Sequence, residues 1–483
     1  MSRYTWWALA VIAAATLFRL SYSTHLELVG DEAYYWLWSR RLDICYLDKG
    51  PVIAWFIALG TTWFGQTVFG IRFFAVMLAA GTGLVLYWLC KRMFSDRVAF
   101  WTVLVGACVP LFAVGATLMT IDTVYVFFWT LAAATFWEAI QSDRWIAWLA
   151  TGVLIGLGLL SKYTAAFELI SFLLFCCWHG PSRRYLWNGR FFLVVVVAGL
   201  FLVPVIYWNV QHHWPTSQFL VHRGALDEQF HLRPLDVLSF LAQQAGVISP
   251  ILFVGMLLAV FSGSYPETER AAVQYAKSLF LPLFLAYFLL SWQRAGQANW
   301  TAAAYVGAMM LVAARFSQPK TWGARLAMIA AISVAVGETA VLHETAWLHL
   351  PPRIDVLNRA RGSRDLAAQV ASLQLRTGAG FVIANKYMTA SLLSFYLPGQ
   401  PETFIPTSSA PFNQLVIWPT YEQVHPDEDA LLVSDTSQIP SSLDSEFAEI
   451  HSLGEITTVS HGRTIGHYHV FVCRRQARTE AGS

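Results

Sequence analysis

The sequence predicts a mainly α membrane protein: a bundle of about eleven membrane-spanning helices with interfacial helices in its first outer loop, then a small C-terminal α/β domain. Three observations predict it. The chain of 483 residues is 56% hydrophobic and only 13% charged, where soluble domains carry about 25% charged residues. Apolar runs near the ~20 residues needed to cross hydrocarbon recur along the first 345 positions. After His349 the pattern changes to short alternating helix and strand signals, which divides the chain into a transmembrane domain, 1–349, and an α/β domain, 350–483.

The apolar runs fall at 5–22, 70–90, 98–116, 121–140, 145–160, 164–179, 190–208, 237–261, 277–292, 300–315 and 325–343. The first, preceded by Arg3, is long enough to be a retained span rather than a cleaved leader. Lys and Arg resist export, and they gather in alternate connections: Lys91, Arg92 and Arg97; Arg144; Arg183, Arg184 and Arg190; Arg270 and Lys277; Arg315, Lys320 and Arg325. This places the N-terminus and those loops in the cytoplasm, and residues 23–69, 117–121, the Lys162 turn, 209–236, 293–299 and everything after about 345 outside. In the first outer loop, Asp31 and Glu32 open an amphipathic segment, where carboxylates suit a helix dipole. Pro51–Gly65 is apolar, aromatic and too short to span, so it lies at the interface. Beyond the Pro351-Pro352 break, Asp365–Leu375 and Met388–Tyr396 read as helices, and Phe381–Ala384, Ala430–Ser434, Ile456–Ser460 and Tyr468–Cys473 as strands.

Composition excludes several functions. The net charge of +2 is scattered, which gives no nucleic-acid footprint. The six cysteines show neither disulfide nor zinc spacing. His212, His213 and His222 share one outer loop without ligand spacing, so no metal site is predicted.

Ionisable groups at a membrane boundary are costly, and here they collect on one face: Asp31, Glu32, Asp48, Lys49, Asp122, Lys162 and Arg294. A carboxylate and a cation together suit sugar transfer from a polyprenyl phosphate. The acceptor hydroxyl must lose a proton, and the leaving phosphate gains charge that a Lys or Arg stabilises. Each residue also has a plainer reading. Asp31, Glu32 and Asp122 can cap helices, Lys49 can snorkel to headgroups, Lys162 and Arg294 can anchor at the interface, and Tyr34, Tyr35, Trp36 and Trp38 can be interfacial packing rather than sugar platforms.

The segments Val29-Gly30-Asp31-Glu32-Ala33-Tyr34-Tyr35, Tyr46-Leu47-Asp48-Lys49-Gly50-Pro51, Phe69-Gly70-Ile71-Arg72, Ile121-Asp122-Thr123 and Gly296-Gln297-Ala298-Asn299-Trp300 together resemble the GT-C clan of membrane glycosyltransferases. Within it they resemble the branch of protein O-mannosyltransferases and lipid A aminoarabinose transferases, as do Ala384-Asn385-Lys386-Tyr387 and Phe395-Tyr396-Leu397-Pro398-Gly399. The resemblance implies that Asp31 activates the acceptor beside Glu32, that Lys49 and Arg294 meet the carrier phosphate with Lys162 as a further candidate, and that Asp122, a third catalytic candidate, lines the same cavity as Tyr34, Tyr35, Asp48, Asn299 and Trp300. Ala298 stands where this branch usually has Pro. The implied activity is inverting transfer from a polyprenyl-phosphate sugar to an envelope acceptor, a glycolipid, polysaccharide or protein, at the outer face of a bacterial-type inner membrane. No cofactor is predicted to be required, although the resemblance leaves a divalent cation open. The rival reading is a transporter or flippase for a lipid-linked sugar, which repeated halves and a midplane site would favour; neither is visible in the sequence. A noncatalytic assembly subunit is a third reading.

Overall fold

The computed structural model describes residues 1–224, 231–263, 265–317, 322–351, 354–407 and 413–475. Lys320, Pro352 and positions 225–230 of the 209–236 loop lie outside the described residues. The chain forms two compact units, one of Met1–Ser23 and Lys49–His343, the other of Thr24–Asp48 and Glu344–Ser483. In this division residues 24–48, which the expected boundary at 349/350 placed with the helices, fall with the C-terminal segment.

Along the chain the helices are α1 (Arg3–Tyr22), α2 (Gly30–Arg40), α3 (Val52–Phe64), α4 (Val68–Met93), α5 (Asp96–Cys108), α6 (Pro110–Gly115), α7 (Ile121–Ser142), α8 (Trp145–Leu159), α9 (Ala166–Trp178), α10 (Arg184–Trp187), α11 (Arg190–Leu200) and α12 (Val203–Gln211). They continue as α13 (Pro215–Arg223), α14 (Pro234–Ile248), α15 (Pro250–Phe261), α16 (Arg270–Leu290), α17 (Tyr305–Phe316), α18 (Trp322–His343), α19 (Ser363–Thr377) and α20 (Tyr387–Tyr396).

The first unit is multi-pass, and its described regular elements are all helices. Among the described residues six helices are long and apolar enough to cross a membrane, or eight if two bent pairs each count as one span. This is fewer than the eleven apolar runs, and the reason is local. Pro110 follows the extended Val109 and splits the 98–116 run into α5 and α6. Ser249, at φ 81°, and Pro250 bend the 237–261 run by 106°. As expected from its length, α3 has 13 residues, about 20 Å against a hydrocarbon core of about 30 Å. Aromatic stacking fills the interior, as with Phe136 on Phe172 at 3.9 Å between ring centroids.

The second unit carries a four-stranded sheet in the order β1-β2-β4-β3, with β1 Phe381–Ala384, β2 Ala430–Ser434, β3 Glu449–Ser460 and β4 Arg463–Arg474. β1 and β2 are parallel, and the other pairings are antiparallel. The expected strands at 381–384 and 430–434 form as read. Those at 456–460 and 468–473 are the C-terminal parts of two longer strands that form a hairpin.

Helix α2 joins this unit through its aromatic face. Trp36 meets Phe395 of α20 edge-on at 5.0 Å, and a Cβ added to Gly30 would lie 2.6 Å from the Cβ of Met388. That approach requires glycine. Tyr34, Trp36 and Trp38 are buried, so these side chains pack in protein and are not an interfacial belt.

Candidate functional site

Asp31 and Glu32 occupy the first turn of α2 and separate at once in role. Glu32 is fully buried and its Oε2 accepts the Val29 amide at 3.1 Å, closing the helix start. Asp31, one residue earlier and so turned by about 100° around the axis, is half-buried. Two residues after Glu32, the hydroxyl of Tyr34 accepts the Gln414 amide at 2.6 Å and lies 3.5 Å from Asp48 Oδ1. The Gln414 side chain in turn accepts the Leu47 amide at 2.8 Å. One buried glutamine thus ties Tyr34 to the 47–48 segment. Burial first, and the Asp48 charge second, push the Tyr34 phenol well above its ordinary range despite the opposing Gln414 amide, which keeps it a neutral group. Tyr35 packs edge-on against Trp38 at 4.9 Å, a core contact.

In the first unit the structure draws together residues from four segments. Asp122 sits in the first turn of α7, and Lys162 in the connection after α8. Lys162 Nζ donates to Asp122 Oδ1 at 2.7 Å, with both side chains largely buried at 10% and 15% exposure. Asn299 Nδ2 donates to the other oxygen, Oδ2. Both carboxylate oxygens are therefore engaged, which makes Asp122 an organiser of its neighbours more than a base. Asn299 owes its place to the 3₁₀ helix Ala298–Ala304, which buried Gln244 anchors. The Gln244 oxygen accepts from the Thr301 hydroxyl at 2.6 Å and the Tyr305 hydroxyl at 2.9 Å.

Lys49 reaches the same region through its neighbour. A Cβ on Gly50 would lie 2.1 Å from the Leu160 carbonyl oxygen, and Val52 N donates to that oxygen at 3.4 Å. The Lys49 segment is thus pressed against the backbone two residues before Lys162. Lys49 Nζ lies 5.2 Å from the Phe219 ring centroid. Arg223 lies 5.6 Å from both that ring and the ring of Trp300. The Gln297 side-chain oxygen accepts from Arg223 at 3.3 Å and from Trp300 Nε1 at 3.1 Å.

Of the expected residues, Asp122, Lys162, Asn299, Trp300 and Lys49 gather in the first unit, and Asp31, Glu32, Tyr34, Tyr35 and Asp48 share the other. Arg294 is exposed just after α16, where its backbone amide donates to the Leu290 carbonyl at 3.0 Å. Sequence reasoning missed Arg223, Phe219 and Gln414. Arg223 stands one residue after His222 in a loop assigned outward and was open to notice as a cation; Gln414 carried no signal. His212 stacks on Trp208 at 4.0 Å. Among the described residues no three His, Cys, Asp or Glu side chains gather as a metal site.

The profile described as dolichyl-phosphate-mannose-protein mannosyltransferase matches residues 48–208. The chain is 28% identical over 375 residues to a lipid A galacturonosyltransferase, RgtD, of Rhizobium johnstonii, covering 75% of this chain and 76% of that one. It is 26% identical over 322 residues to an undecaprenyl phosphate-alpha-4-amino-4-deoxy-L-arabinose arabinosyl transferase of Pseudomonas aeruginosa, covering 60% of this chain and 56%, just over half, of that one. Its fold is similar to that of ArnT from Cupriavidus metallidurans, solved bound to undecaprenyl phosphate, with a TM-score of 0.63 and 17% identity across 97% of this chain and 98% of that one.

Proposed function

Since this chain is a membrane glycosyltransferase of the GT-C clan, we propose that it moves a sugar from a polyprenyl phosphate to an acceptor on the outer side of a bacterial-type inner membrane, with inversion at the anomeric carbon. The N-terminus is then cytoplasmic and the C-terminal unit extracytoplasmic, as the distribution of Lys and Arg favours. The relatives named above support the donor class, since they act with undecaprenyl-phosphate sugars or on lipid A by name.

The observation that carries the reading is the backbone contact at Gly50 and Leu160, which brings the segments of two lysines to one end of the helical unit, beside a carboxylate already committed to Lys162 and Asn299. In this reading Lys49 meets the carrier phosphate, and the Asp122–Lys162–Asn299 network holds the surrounding backbone. The acceptor oxygen attacks the anomeric carbon as Asp31 takes its proton. The bond from that carbon to the phosphate oxygen breaks, and the phosphate leaves with the electron pair, its charge stabilised by the ammonium. Among the side chains named, none but Asp31 combines a carboxylate with partial exposure in the first turn of α2.

Incubating the purified protein with a panel of polyprenyl-phosphate sugars and an envelope acceptor extract, and measuring carrier release, tests the reading. Release with one donor and sugar appearing on the acceptor are expected. Movement of the intact lipid-linked sugar across vesicles without release would instead establish the flippase.

A further inference from the structure

The second unit holds a cavity that this chemistry does not use. It opens to solvent, spans about 640 Å³ of space that includes part of that solvent, and lies where the C-terminal end of α2 meets residues 402–407 and 415–420. Leu37, Phe404, Ile405 and Val416 make an apolar floor, and Trp418 supplies a flat aromatic wall. The charged lining residues are Arg40, Arg41 and Glu402, an excess of one positive charge (2 − 1). Arg41 lies over Trp418 at 5.1 Å and pairs with Glu402 at 2.5 Å, both side chains remaining more than a third exposed. Arg40 Nη1 donates to the Gln400 carbonyl at 2.9 Å and its guanidinium stacks on Trp36 at 4.9 Å.

We propose that this cavity is a remote acceptor subsite for a saccharide bearing a carboxylate or phosphate, a reading that rests on the transfer reaction proposed above. The apolar face of a sugar ring packs on an indole. The two guanidiniums, already oriented by stacking and by carbonyl and carboxylate partners, present planar donors to an anionic substituent. An acyl chain fits less well, because covering the Arg41–Glu402 pair with hydrocarbon removes its water and returns no hydrogen bond. Arg40 is nine residues beyond Asp31 on the same helix, about 14 Å along the axis and on its opposite side. A ligand here is therefore held away from the reacting hydroxyl, and its binding serves to retain the acceptor rather than to speed the chemical step.

The test is equilibrium binding to the full purified chain in detergent, with trigalacturonate as the anionic probe and maltotriose as the neutral one of equal length. Trigalacturonate is expected to bind, and maltotriose roughly tenfold more weakly or worse. Trp418→Ala and Arg41→Gln should each weaken trigalacturonate by about tenfold with an unchanged unfolding midpoint. Glu402→Gln should tighten it, since the amide oxygen can still accept from Arg41 while the competing charge is gone; a merely structural ion pair would give the opposite sign. Absent binding, equal binding of the two probes, or folded variants that bind as the wild type does would overturn the subsite. Asp31→Asn should bind the probe normally. If no donor releases its carrier yet the binding pattern holds, the transfer reading fails and the subsite stands; if transfer proceeds without that pattern, the subsite alone fails.

Discussion

Two buried ion clusters, one in each unit, solve the same electrostatic problem in different ways. In the helical unit a single Lys162–Asp122 pair is completed by the neutral Asn299. In the other unit Arg361 bridges two carboxylates, Glu344 at 2.8 Å and Asp355 at 3.1 Å, while Thr345 donates to Asp355 at 2.6 Å. The first has one partner per charge, so removing either member strands the other where water is scarce. The second has spare partners, so it degrades gradually. A pair without redundancy at the end of a helix bundle is a positioning device that tolerates little change, whereas a shared arginine is a staple for the loops it joins.

The largest effect expected concerns chemistry rather than either cluster. Asp31→Asn should lower transfer by roughly 10²–10⁴-fold in a folded protein, while Glu32→Gln, whose amide oxygen can still receive the Val29 amide, should retain most activity. Carrier release by the two purified variants decides whether these adjacent acids divide their roles as the geometry implies.

Next comes the unshared pair. Lys162→Met should destabilise the protein by about 3–5 kcal/mol, and the double variant Lys162→Met with Asp122→Leu by clearly less, because no buried charge is then left alone. Thermal unfolding in detergent measures this; equal losses in both would remove the contrast between the two clusters.

Gly50→Ala should act through the Lys49 segment. Its new methyl cannot stay 2.1 Å from the Leu160 oxygen, so the segment must shift, and the KM for the lipid donor should rise by about tenfold, with unfolding affected by about 1–3 kcal/mol. Unchanged donor kinetics would separate Lys49 from the carrier phosphate.

The smallest effect is the acid response of the second cluster. Burial works to raise the Glu344 carboxyl, but the Ala346 amide, His25 and Arg361 outweigh it and hold the group below its ordinary 4.5. A carboxylate lowered in the folded state contributes stability that is present above the unfolded value and lost as pH falls through the folded one. The second unit should therefore loosen below about pH 4.5, and Arg361→Met should lower stability at neutral pH while weakening that acid response, because the folded carboxyl loses one of the partners that hold it down. Circular dichroism across pH 3–6, about the range of ordinary carboxylates, reads it.

Much of this was legible from local pattern. The unbroken apolar runs at 381–384 and 430–433 lie in β1 and β2 because a strand buried on both faces has no polar side. Asp122 was recognisable at a helix start, and the 296–300 motif led to Asn299. Less was legible where contact joins distant segments. Gln414 meets Leu47 and Tyr34 across more than 360 positions of sequence, and no periodicity encodes such a bond. The span count suffered from the opposite fault: hydropathy reports how apolar a run is and not where Pro110 or Ser249-Pro250 breaks it.

The sequence by itself determined that lipid is part of this protein's solvent, that a small α/β unit follows the helices, and that acids and bases cluster at a few boundary positions. Those properties come from composition and from periods of two and 3.6, which are local. Only the tertiary structure decided that residues 24–48 belong with the C-terminal segment, that Glu32 is buried and closes the start of α2, and that Lys162 is spent on Asp122. The reason is that burial and charge pairing are set by what packs nearby in space, and in this fold those neighbours are contributed by segments far apart along the chain.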